Sequence, residues 1–61
     1  MERTMFAILP QNQEFDFAEY FSDENNAYEE AIDWSIYLGG DVINIYEKEN
    51  ETYNLIAKVY A

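Results

Sequence analysis

The chain of 61 residues has no cysteine, no histidine, one proline, two glycines and only three basic residues. Each shortage excludes something. Without cysteine there is no disulfide scaffold and no thiolate nucleophile, and without cysteine or histidine a zinc site lacks its usual ligands. Without histidine there is no imidazole for acid–base work near neutral pH. Three Lys and Arg against thirteen Asp and Glu give a net charge of −10. Direct nucleic-acid binding is then disfavoured, because phosphate contacts need cations. Long hydrophobic runs are missing as well, and none approaches the roughly 20 residues of a membrane span. The opening Met1-Glu2-Arg3-Thr4, with a short apolar run stopped by Pro10, reads as neither signal nor transit peptide. The expected location is therefore the cytoplasm, where the sequon Asn50-Glu51-Thr52 is a chance match.

What is present is apolar and aromatic. Hydrophobic residues make up 49% of the chain, with six Tyr, four Phe and one Trp. That supplies burial which a disordered acidic chain lacks. The length allows one domain, 1–61. A domain of this size buries only about 60% of its unfolded surface, so added stability from a partner or from self-association is expected.

Thr4 to Leu9 is a continuous apolar run and reads as a first strand. Glu14 to Phe21 alternates and reads as a second, with Phe15, Phe17 and Phe21 on one face and Asp16, Ala18 and Tyr20 on the other; the alternation fails at Glu19, so a competing reading starts a helix near Phe15. Asn26 with Glu29 three positions later has the form of an N-cap and capping box. The helix it opens runs from Ala27 to Leu38, with Ala27, Ala31, Ser35 and Leu38 inward, and ends at Gly39-Gly40, the first suited to a left-handed C′ position. Asp41 to Tyr46 and Tyr53 to Tyr60 are the third and fourth strands. Asn50 is the residue best suited to positive φ in the turn between them. The whole reads ββαββ, an α+β fold with one small antiparallel sheet and one helix packed on one face.

Two surfaces stand out. No basic residue lies between Arg3 and Lys48, and the stretch from Glu14 to Asp41 carries nine of the thirteen carboxylates. An acidic loop and helix bearing Asp23, Glu24, Glu29, Glu30 and Asp33 would meet a protein partner with a basic surface, with association speeded by steering. Like charges three and four apart on the helix cost a few tenths of a kcal/mol per pair, so their retention points to a use, with plain solubility the alternative. The second surface is the sheet face away from the helix. With Phe15, Phe17, Phe21, Ile43, Ile45, Leu55, Ala57 and Val59 assigned to the helix side, Tyr20, Tyr46, Ile56 and Tyr60 remain on the open side, joined by Phe6, Ile8 or their neighbours. Such a patch suits a partner or a homodimer, or its tyrosines serve only to stabilise the sheet across strands. No catalytic residue, cofactor or metal is assigned. One helix over one sheet leaves little depth for a reactive pocket, and Asp23-Glu24-Asn25-Asn26 lacks the spacing of a calcium loop.

In its length, its charge block from Glu14 to Asp41, its aromatic content and its lack of His and Cys, the chain resembles small acidic proteins encoded by bacteriophages. That resemblance implies a non-enzymatic inhibitor acting in a bacterial host cell. It would occupy a nucleic-acid-binding or anti-phage defence protein, in the manner of a DNA mimic. The alternative is an accessory subunit or a homo-oligomeric structural protein, binding through the tyrosine-rich sheet face.

Overall fold

The computed structural model describes residues 4–61. Its elements are strand β1 (Met5–Pro10), a one-turn 3-10 helix (Phe15–Phe17), β2 (Glu19–Phe21), helix α1 (Glu24–Tyr37), β3 (Ile43–Glu49) and β4 (Thr52–Val59). The four strands form one antiparallel sheet in the order β2-β1-β3-β4, and α1 lies across one face. This is a small α+β fold with the element order read from the sequence.

The continuous apolar run of β1 fits its central place, because a strand covered on both faces has no need to alternate. Phe6 and Ile8 point into the helix-side core, while Ala7 and Leu9 take the other face and are buried as well. Of the two choices for the face away from the helix, Phe6 and Ile8 or their neighbours, the structure takes the neighbours, and Phe6 and Ile8 lie under the helix. That core joins Phe6, Ile8, Ile43 and Ile45 to Ala27 and Ala31, with Phe21, Tyr28, Trp34, Ala57 and Val59 packed around them. Full burial of an isoleucine contributes about 2 kcal/mol, and Ile8, Ile43 and Ile45 are all but inaccessible. The helix seats on the sheet through small side chains four apart, Ala27, Ala31 and Ser35. Buried Ser35 is satisfied twice. Its Oγ donates to the Asp41 carbonyl at 2.7 Å and accepts from the Ala61 N–H at 3.0 Å, tying the helix to the chain's last residue.

Both helix ends carry information. The N-cap is Asp23, in extended conformation, and the Ala27 N–H reaches its carbonyl. Asn26 lies inside the first turn, so the expected capping box with Glu29 is not formed. At the other end, Leu38 is the C-cap and is exposed rather than inward. The Gly39 N–H bonds the Ile36 carbonyl and the Gly40 N–H bonds the Ser35 carbonyl, the paired closure of a Schellman motif. Gly39 holds φ at 78° there, as its position required.

Three further expectations are corrected. The run from Glu14 is not one long strand. It makes a 3-10 turn at Phe15–Phe17, and only Glu19–Phe21 pairs with β1. Phe15 and Phe17 therefore leave the helix-side core. In β4 a bulge changes the register, since Ile45 faces Ala57 but Tyr46 faces Leu55, passing over Ile56. Leu55 is thereby turned to the face of Tyr46 and is half exposed. Finally, β3 and β4 run further into their turn than the charges suggested, and close tightly at Asn50, whose φ is 56°.

Candidate partner-binding surfaces

The face away from the helix is not open. Residues 11–18 cross it between β1 and β2 and lay Phe15 on the sheet. The Phe15 ring centre is 5.0 Å from that of Tyr46 and 4.5 Å from that of Tyr53, and the two tyrosines meet edge-on at 6.4 Å. Tyr20 on edge strand β2 and Tyr53 on edge strand β4 share a hydroxyl hydrogen bond of 2.8 Å across the width of the sheet. That bond, then partial burial and the neighbouring Tyr53, raise the Tyr20 pKa above its ordinary 10.0, against a smaller opposing pull from Lys48. Beneath the aromatics, Asn44 is buried with both ends of its amide used. It donates to the Tyr46 hydroxyl and accepts from Lys58 Nζ. Tyr20 and Tyr46 are thus brought together, with Phe15 and Tyr53 completing the cluster. Ile56 sits at the bulge, and Tyr60 lies exposed past the end of β4.

The acidic residues Asp23, Glu24, Glu29, Glu30 and Asp33 are all exposed. Asp23 and Glu24 flank the helix N-terminus, where the dipole favours negative charge. Glu29 points away from the sheet by the helical period, opposite Ala27 and Ala31. The structure separates Glu30 and Asp33 from the rest. They line an open groove of about 420 Å³ between α1 and the β2 edge, together with Trp34, Tyr37, Ile8 and Glu19. The spacing 30, 33, 34, 37 is one stripe of a helix, so four of the six lining residues share a period that the sequence carries. Glu19 does not, because its place beside the helix depends on β2 pairing at the sheet edge.

No basic residue lies on α1 or β2. The two described lysines are engaged by neutral groups: Lys58 by Asn44, and Lys48 over the Tyr53 ring at 5.8 Å. No set of three or more acidic side chains among the described residues is arranged to hold a metal ion. No helix among the described residues is long and apolar enough to cross a membrane. Comparison with known families, curated proteins and solved structures returns no match for this chain.

Proposed function

We propose that the chain is a non-catalytic protein-binding module that docks its acidic helix side on a basic surface of another protein and so occupies it, as the resemblance to phage-encoded inhibitors implies. The observation that carries this reading is the run of nine carboxylates from Glu14 to Asp41 with no base among them. Four of them, Glu24, Glu29, Glu30 and Asp33, fall within about 13 Å of helix axis at 1.5 Å per residue. Their linear density is near the one charge per about 3.4 Å of a single DNA strand. They point to different sides of the helix, however. The match is to a basic surface that attracts anions and not to the detailed geometry of a duplex.

The test is capture of partners from bacterial lysate by the wild type and by Glu29→Lys/Glu30→Lys/Asp33→Lys, at about 0.1 M and 0.5 M salt, where exposed charge is progressively screened. A partner held by the wild type at low salt, released at high salt and not bound by the variant supports the reading. A partner held by both proteins at high salt refutes it.

A second reading, self-association, draws on the last strand. Thr52–Ala61 contains no acidic side chain and exposes Leu55, Ile56 and Tyr60. Two strongly negative copies would meet there with least repulsion, although the bulge works against strand-to-strand pairing. Light scattering over a range of concentrations distinguishes a monomer from a dimer.

A further inference from the structure

Resting on the acidic docking reading, we infer that the groove between α1 and β2 receives an arginine side chain from an extended basic segment of the partner, laid along the free edge of β2. The floor of the groove is Ile8, which is 1% exposed, and its walls are Trp34 and Tyr37. Glu19 stands on the strand side, and Glu30 and Asp33 on the helix side. Carboxylates on two elements around aromatic rings match a guanidinium in particular. Its fork donates to carboxylates while its plane stacks on aromatic faces, and its stem lies against apolar surface. A lysine ammonium is more strongly hydrated and forms no fork. Tyr37 is 85% exposed, an unusual position for an aromatic and one suited to an interface anchor.

The sheet supplies the rest. Among the described residues β2 is an edge strand paired only with β1, which leaves its outer edge to an added strand. An extended segment paired there would carry alternate side chains on the helix face of the sheet, where the groove opens. With no base on either element, the charge selects a cationic segment.

Trp34 is the only tryptophan, so its fluorescence reports on the groove directly. The probes are a synthetic extended peptide with arginine at alternate positions and its lysine counterpart, titrated at about 0.05 M salt. The arginine peptide should change Trp34 emission in a saturable way and shift the amide NMR signals of Glu19–Phe21. The lysine peptide should bind at least about fivefold more weakly. Tyr37→Ala and Glu30→Gln/Asp33→Asn should each weaken arginine-peptide binding about tenfold. Glu49→Gln/Glu51→Gln makes the same change in net charge at the distant turn and should leave affinity within about twofold. Thermal melts confirm that the variants fold. Equal loss from both charge pairs, or binding with no response at Trp34 and β2, overturns the groove while leaving acidic docking in place. Failure of both peptides to bind overturns the two together.

Discussion

Tyr20 and Tyr53 stand on opposite edges of the sheet, yet their hydroxyls meet at 2.8 Å. In the β2-β1-β3 row the strand between Tyr20 and Tyr46 contributes Ala7, which leaves the space the tyrosine ring crosses. The raised Tyr20 pKa is a consequence with a definite sign. The folded protein holds the phenolic proton more tightly than the unfolded chain, mainly through the Tyr53 hydrogen bond. Its stabilisation is complete below the unfolded-state value and is lost as pH rises through the folded one. Tyr53→Phe keeps the ring that Phe15 packs on and deletes the bond. At neutral pH the variant should lose a few tenths of a kcal/mol, since the pair is exposed. In denaturant titrations from about pH 8 to pH 11 the wild type should lose stability more steeply than Tyr53→Phe. Parallel pH profiles would show that the bond carries no linkage.

At the level of elements, the sequence was most legible where one pattern dominated. The run of β1, the small-residue stripe of α1 and the glycine pair after it each had one reading, and each is realised. It misled where two local patterns competed. Asn26 with Glu29 has every feature of a capping box, but Asp23 three residues earlier can also cap, and the helix takes the longer form. Alternation from Glu14 to Phe21 reads as strand, and its break at Glu19 as a helical start near Phe15; the structure has a single 3-10 turn there, and residues 11–18 cross the sheet to lay Phe15 on Tyr46 and Tyr53, a tertiary demand neither local pattern encodes. A bulge is equally silent in the sequence, and this one moved Leu55 to the other face. The groove follows the same rule: its helix residues could be read from spacing, but its strand residue Glu19 could not. The helix start is open to a direct test. Asn26→Ala should leave stability unchanged or raise it by a few tenths of a kcal/mol, because alanine is the better interior residue. Were Asn26 the cap, the same change would cost about 1 kcal/mol. Urea denaturation resolves the two.

For the whole molecule, one property sets both stability and recognition. A net charge of −10 on 61 residues repels itself, and α1 and β2 contain no base to relieve it. The same carboxylates, facing a cationic partner, become the source of attraction. Salt screens both effects, so the two must respond to it in opposite directions. Raising sodium chloride from about 0.02 M to 0.5 M should raise the melting temperature of the free protein by several degrees, as self-repulsion is screened. Over the same range, binding to a basic partner or to the arginine peptide should weaken. Glu29→Lys/Glu30→Lys/Asp33→Lys removes six units of negative charge, three carboxylates lost and three ammonium groups gained, and should flatten both dependences together. A free protein whose melting temperature is indifferent to salt would mean that its carboxylates are already neutralised within the fold. The acidic side would then have no unspent charge to offer a partner, and the docking reading would lose its physical basis.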